Sequence, residues 1–241
     1  MQAYSVTDIG KNRTENQDYA LAVTLSVGRL ANLFLVADGM GGHKAGGFAS
    51  KFSVETIHQL IAESGQEAAA AILREVIEET NTRLREQADS DESLSGMGTT
   101  IVAATVEDGN LCVANVGDSR LYVLKDGTLK QITEDHSLVE EMVRNGDLDR
   151  EEARFHPNKN IITRALGGLP EVEVDFFEVP LSGGEIVLMC SDGLSNMVDD
   201  EEMGEITLKY QDDLEMAAEQ LVRRANDYGG RDNIAVVLVR P

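Results

Sequence analysis

Five aspartates stand where solubility alone would not put them. The apolar run "LFLVAD" ends on Asp38, followed by Gly39; "IVLMCSD" ends on Asp192; "LCVANVGD" ends on Asp118. "RTENQD" ends on Asp18, and "GGRDN" carries Asp232 just ahead of the last apolar run. An ionised carboxylate at a core edge suffers a large desolvation penalty unless positive charge meets it. Nearby basic residues are too few to neutralise five such sites, whereas divalent cations would do so. Every donor is oxygen, with neither a cysteine pair nor paired histidines at zinc spacing, and this suits Mg²⁺ or Mn²⁺. Two such ions about 4 Å apart activate a bridging water and clamp a phosphoryl group for in-line attack. Glycine after the aspartate lets its carbonyl approach an ion closely. Each aspartate alone also reads as a turn residue, Asp118 within "GDSR" and Asp232 before a strand. Turn chemistry does not, however, require an apolar strand ahead of Asp again and again.

The elements that must deliver these groups are legible in outline. "GGFASKFSVETIHQLIAES" reads as a helix and "QEAAAAILREVIEETNTRLREQA" as a second, with Ala69, Leu73, Val76, Thr80 and Leu84 on one face. From "MGTTIVAATV" to "LKQIT" the period shortens to that of strands, broken at Asp108-Gly109 and Asp126-Gly127 by hairpin turns. The reading is one antiparallel meander, apolar enough to be covered on both faces. Short helices follow at "SLVEEMVRNG" and "DREEARF", then the irregular "HPNKNIITRALGG" and the strand "EIVLMCSDG". A helix with Leu214, Ala217, Ala218, Leu221, Val222 and Ala225 on one face precedes a closing strand, "NIAVVLV". Strands in groups with helices between the groups favour an α+β layering.

At 241 residues the chain fits one domain, 1–241, without repeats or low-complexity tracts. "MQAYSVTDIGKNR" lacks the apolar run of a signal peptide, and no stretch of about 18 apolar residues spans a membrane. Cys112 and Cys190 lie in apolar runs, as buried thiols of a reducing compartment do, so a cytoplasmic protein is expected. With 21 basic against 43 acidic residues the net charge is −22, which disfavours nucleic acid and anionic membrane as partners. Acid-rich "DSDESLSG" and "VDDEEMGEI" are solvated faces.

Taken in order, "RTENQD", "VADGMGGHKAGG", "GMGTT", "NVGDSR", "HPNKNIITRALG", "CSDGL" and "GGRDNIAVVLV" resemble the metal-dependent Ser/Thr protein phosphatases of the protein phosphatase 2C family, most of all bacterial stand-alone catalytic domains. The resemblance runs from Ser5 to Val239. It implies a four-layer α/β/β/α sandwich of two antiparallel sheets flanked by helices. It also implies site roles. Asp38 matches the carboxylate bridging two ions, and Gly39 the carbonyl donor to one of them. Asp192 and Asp232 match ligands of the first ion. Asp18 matches a ligand acting on the second ion through water, and Asp118 a ligand of a weaker third. Arg13 matches the arginine that grips the phosphate, Asn233 a residue behind the metal-binding aspartate. Gln17 stands where some members carry an acid. Met40 replaces the histidine that animal members place after Asp-Gly; His43 is the only histidine of that loop, either contacting substrate or protonating the leaving alkoxide, or simply bonding local backbone. The region from about 136 to 166 resembles the family's flap. Asn160 would join the third metal site there, whereas His136 and His156 fit solvated or capping roles better than substrate contacts.

The expectation is therefore an Mg²⁺/Mn²⁺-dependent phosphoprotein phosphatase with two ions and a weaker third. It would be a monomer acting on phosphoserine and phosphothreonine by direct attack of water and opposing a bacterial Ser/Thr kinase and its substrates. No Cys-x5-Arg stretch surrounds either cysteine, which excludes the thiol route. The rivals are a catalytically silent phosphoprotein binder, a small-molecule phosphatase using the same metal site, and an acidic Ca²⁺ binder. No Asp-x-Asp-x-Asp-Gly loop supports the last.

Overall fold

Alternation along one strand sets the layer order. In the computed structural model, which describes residues 1–42 and 45–241, strand β3 (Leu33–Met40) turns Leu33, Leu35 and Ala37 toward a helical layer. Its other face sends Phe34 and Val36 into a core between two sheets. Successive side chains of a strand point to opposite faces, so an apolar residue at every position fits a strand covered on both sides.

In order along the chain the strands are β1 (Gln2–Asp8), β2 (Asp18–Val23), β3, β4 (Gly98–Thr99), β5 (Ile101–Glu107), β6 (Asn110–Val116), β7 (Arg120–Lys125), β8 (Thr128–Gln131), β9 (Asp175–Pro180), β10 (Ile186–Cys190) and β11 (Ile234–Arg240). One sheet runs β1-β11-β10-β7-β8; the other runs β2-β3-β5-β6-β9 with β4 added on β3, all antiparallel. Helices α1 (Ala45–Glu63) and α2 (Ala69–Ser90) cover the second sheet through Ile57, Ile61, Leu73 and Ile77. The short α3 (Leu138–Asn145), α4 (Arg150–Ala153) and α5 (Asp192–Ser195) follow, and then α6 (Asp200–Lys209) and α7 (Leu214–Asp227). Helices α5, α6 and α7 cover the first sheet through Leu194, Met203, Ala218 and Leu221. This is the four-layer α/β/β/α arrangement. Each fully buried Leu, Ile or Val contributes about 1.5–3 kcal/mol, so the three apolar layers fix both sheets firmly.

Both predicted hairpin turns form. Asp108 and Gly109, with φ of 49° and 76°, and Asp126 and Gly127, with 51° and 78°, adopt the paired left-handed conformations whose twist matches the flanking strands. The single meander does not form. The β5–β6 hairpin belongs to one sheet and the β7–β8 hairpin to the other. The chain crosses between them at Gly117, whose φ is 111° and whose absent Cβ would lie 2.6 Å from the Thr100 side chain. A side chain there would both strain the backbone and strike Thr100, so the crossing needs glycine. Asp118 is left at the seam.

Strands β1, β2 and β9 carry no strong signal. They lie at the sheet edges, and most of their side chains are half-buried or exposed, which blurs the alternation.

Candidate metal centre

The open end of the sandwich is where both sheets deliver their carboxylates. Antiparallel register sets Asp18 directly opposite Asp38. That brings their Cβ atoms to about 5 Å, a pairing of like charges that destabilises a sheet unless something balances it. Asp38 is not the end of its strand: β3 continues to Met40 and pairs Gly39 with Thr99. The carboxylate therefore rides on a rigid, paired backbone. Asp192 opens α5 just after β10, and Asp232 stands two residues ahead of β11.

The aspartates meet in one cavity of about 250 Å³. Its wall contains Arg13, Gln17, Asp38, Gly39, Asp118, Asn160, Asp192 and Asp232. Asp18 lies behind it, 5% exposed, and accepts a short hydrogen bond of 2.5 Å from Ser191 Oγ. Asp18 and Asp192 both stand close enough to Asp38 for the three carboxylates to act on one another electrostatically. Among the described residues no three carboxylates close on a single point as a finished cage.

The electrostatics are uniform in sign. Burial, then repulsion from Asp192 and Asp232, pushes the Asp18 carboxyl up to about 8 against the hydrogen bond from Ser191. Burial, then Asp18, Asp192, Asp118 and Asp232 in turn, holds Asp38 well above the usual carboxylate range. Burial and the charges of Asp192 and Asp135 raise Asp118, with Arg120 opposing. Burial and Asp232 push Asp192 up to about 6. Asp192 Oδ2 accepts from Asn196 Nδ2 at 2.8 Å, whereas Oδ1 is buried without a hydrogen-bond partner. An orphaned carboxylate oxygen, a facing carboxylate pair and an all-oxygen donor set fit divalent cations of the Mg²⁺ or Mn²⁺ kind.

The backbone around the site is held by groups the sequence did not single out. Thr100 Oγ1 accepts from the Asp38 N–H at 2.9 Å, and Thr99 Oγ1 donates to the Asp38 carbonyl at 2.9 Å. Ser191 Oγ, besides donating to Asp18, accepts from the Ala235 N–H at 2.8 Å and so ties β11 to β2. Hydroxyls this common give no sequence signal of their own, although "GMGTT" and "CSDGL" contain them. Gly39 has a packing reason as well: a Cβ there would lie 2.0 Å from the Gly46 carbonyl oxygen, where α1 begins.

Asn233 is 3% exposed and fully bonded. Its amide donates to the carbonyls of Ile9 and Glu15, at 2.9 and 3.0 Å, and its oxygen accepts from the Gln17 N–H at 2.8 Å. The loop bearing Arg13 is thereby pinned to the start of β11. Arg13, half exposed, donates to Asp232 at 2.7 Å across the cavity mouth. Gln17 and Asn160 line the same wall. His43 lies outside the described residues.

His136 is neither solvated nor a cap. It is 6% exposed; its Nδ1 accepts from the Gly117 N–H at 3.0 Å and its Nε2 lies 3.0 Å from Asp175. It therefore braces the crossing that presents Asp118. His156 does have a local role, with its Nδ1 accepting from the Asn158 N–H at 3.2 Å.

Comparison with known proteins decides the lineage. Residues 10–238 match the family model described as protein phosphatase 2C. The chain belongs to the protein phosphatase 2C family. As a member it is a phosphatase, a hydrolase, of a metal-dependent kind. It is 43% identical to the serine/threonine phosphatase stp of Listeria monocytogenes over 252 residues, spanning 99% of this chain and 95% of that protein. A Streptococcus agalactiae serine/threonine phosphatase structure superposes with a TM-score of 0.91 at 37% identity, covering 99% of this chain and 98% of that one. The catalytic domain of PstP, solved with two manganese ions, superposes with a TM-score of 0.86 at 34% identity over 98% and 96% of the two chains. Among the described residues of this protein phosphatase 2C member, no helix is long and apolar enough to cross a membrane.

Proposed function

We propose that this protein hydrolyses phosphoserine and phosphothreonine in proteins with the help of two Mn²⁺ or Mg²⁺ ions, opposing a bacterial Ser/Thr kinase. The observation that carries the reading is the pair Asp18 and Asp38 set face to face, with Asp192 Oδ1 left unpartnered beside them. Asp38 stands between Asp18 and Asp192 and is suited to serve both ions. Asp192, Asp232 and the Gly39 carbonyl would complete the first, and Asp18 would act on the second. Asp118, with Asn160 on the same wall, fits a weaker third ion. When bound, such ions make water nucleophilic at neutral pH and neutralise the phosphoryl oxygens.

The chain's own residues do the rest. Arg13 offers a planar guanidinium fork at the cavity mouth, the geometry that grips two phosphate oxygens at once. Asp232 orients that guanidinium, and Asn233 holds the loop from which it projects. Ser191 and Thr100 fix Asp18 and the Asp38 backbone, so little reorganisation is needed as charge develops on the phosphate. The reading takes 1–241 as one catalytic domain with a flap at about 136–166. Two buried free thiols accord with a reducing, cytoplasmic setting.

The test is a metal titration of phosphothreonine-peptide hydrolysis for the wild type, Asp38→Ala and Asp192→Ala. Turnover that needs Mn²⁺ or Mg²⁺, stops with chelator and is lost in both folded variants supports the reading. Hydrolysis that persists in chelator, or a wild type inert on phosphopeptides at every metal concentration, overturns it.

A further inference from the structure

Beside the carboxylate site lies a much larger hollow, a groove of about 1270 Å³ between α2 and the segment from Ile162 to Glu173. Met40 and Ile162 belong to the walls of both cavities, so the two adjoin. The smaller cavity has room for one phosphorylated side chain. The larger exceeds the roughly 300–1,000 Å³ that accommodates a drug-sized ligand, and so takes several residues of an extended chain.

Two features show that this groove is built and that its charge is selective. Asn81 of α2 is 1% exposed and spends its whole amide on the outer wall: Nδ2 donates to the carbonyls of Leu169 and Pro170, at 3.0 and 3.2 Å, and Oδ1 accepts from the Gly167 N–H at 2.8 Å. That wall is thereby fixed in advance while Leu169 is held 65% exposed, an apolar surface presented to solvent by a buried polar anchor. The second feature is Arg74. Its guanidinium lies 4.5 Å from the Phe176 ring centroid; Glu75, Glu78 and Glu79 border the hollow on its other side, but among the described residues none of them forms an ion pair with it, and Glu79 is taken by Arg83. The other arginine of the groove, Arg164, is bound at 2.9 Å by both Asp175 and Glu173. In a chain with 43 acidic and 21 basic residues, an arginine left without a carboxylate in a preformed groove is matched to an acid that arrives from outside.

We propose that this groove receives the substrate polypeptide on one flank of its phosphorylated residue, with an apolar side chain against Leu169 and Ile162 and an acidic side chain on Arg74. The proposal rests on the phosphoprotein phosphatase reading above and adds a sequence preference to it. Arg74 acts on specificity alone; it lies on α2 and is not part of the wall around the aspartates.

The experiment compares kcat/KM for a panel of phosphothreonine peptides, in which one glutamate is moved a position at a time along both flanks, with that for an aryl phosphate that has no flanks. Wild type, Arg74→Ala, Arg74→Glu and Leu169→Ser are measured in saturating Mn²⁺. The expected result is a glutamate preference at one position of one flank, lost in Arg74→Ala by about three- to tenfold through KM, as for a partly exposed charge-assisted contact. In Arg74→Glu the preference inverts toward lysine at that position. Leu169→Ser raises KM for all the peptides, and aryl phosphate turnover stays unchanged in every variant. A wild type without flank preference, a glutamate preference that survives Arg74→Ala, or equal losses on aryl phosphate overturns the groove proposal alone. A wild type inactive on both substrate types overturns the phosphatase reading and the groove with it.

Discussion

Replacing Asp192 by Asn should make the protein more stable when metal is withheld, although it removes a group the catalytic reading depends on. Burial and the neighbouring Asp232 raise the Asp192 carboxyl from 3.8 to about 6. That gap of roughly two pH units corresponds to about 3 kcal/mol at about 1.4 kcal/mol per unit. The side chain borders the cavity, where solvent screens part of the effect, so about 1–3 kcal/mol is expected. Because the folded-state value lies above the unfolded one, the penalty is absent below about pH 4 and complete above about pH 6. Metal-free wild type should therefore lose stability as pH rises through that window. Asparagine has no charge to bury, and its carbonyl can still accept from Asn196. Thermal melts in chelator at pH 7.5 should place Asp192→Asn roughly 2–12 °C above wild type, given about 2–4 °C per kcal/mol for a chain of this size. The margin should close near pH 4, and saturating Mn²⁺ should reverse the order, since only the wild type keeps the full ligand set. A variant less stable than wild type in chelator at pH 7.5, or a margin indifferent to pH, would refute the argument that these carboxylates are held against their own repulsion.

Three further outcomes follow from individual contacts. Gly39→Ala places a methyl 2.0 Å from the Gly46 carbonyl, so urea melts should show a loss of about 1–3 kcal/mol or outright misfolding. His136→Leu leaves the buried Gly117 N–H and the Asp175 contact unpaired and should cost about 2–3 kcal/mol by the same melts. His136→Asn, whose Oδ1 can take the place of Nδ1 as acceptor, should recover about half of that loss. Asp118→Ala should lower peptide turnover while calorimetric titration still detects two Mn²⁺ ions per chain, because Asp118 is assigned only to the weaker third site.

How far the sequence revealed this site depended on the kind of signal each residue gives. Asp18, Asp38, Asp118, Asp192 and Asp232 were legible because a charge at the edge of an apolar run needs a reason. Their convergence was not derivable from spacing, since it depends on register: Asp18 faces Asp38 only because β2 and β3 pair as they do. Asp38 looked like the end of a strand because glycines follow it. In fact β3 carries on, and Gly39 is small because α1 begins against it. The helical faces of α2 and α7 were readable from period alone, and their predicted apolar residues are buried or half-buried. The passage from β6 to β7 was not, because a hairpin within one sheet and a crossing between sheets both use Gly and Asp. Serine and threonine gave nothing by their type, yet Ser191 and Thr100 hold the site together. The importance of His136 comes from burial against Gly117 and Asp175, distant in sequence and invisible before folding.

The acidic groups are divided between the two layers: β2, β3 and the residues after β6 bring Asp18, Asp38 and Asp118 from one, and the neighbours of β10 and β11 bring Asp192 and Asp232 from the other. Whatever cancels their charge consequently acts as a clasp across the rim of the sandwich. Undoing it would let the rim gape while the opposite end, closed by Val106, Leu111, Val187 and Val239, stays shut. Amide exchange should then quicken first around Gly39 and Ser191 and fade with distance along each strand, so that one molecule frays from a single side.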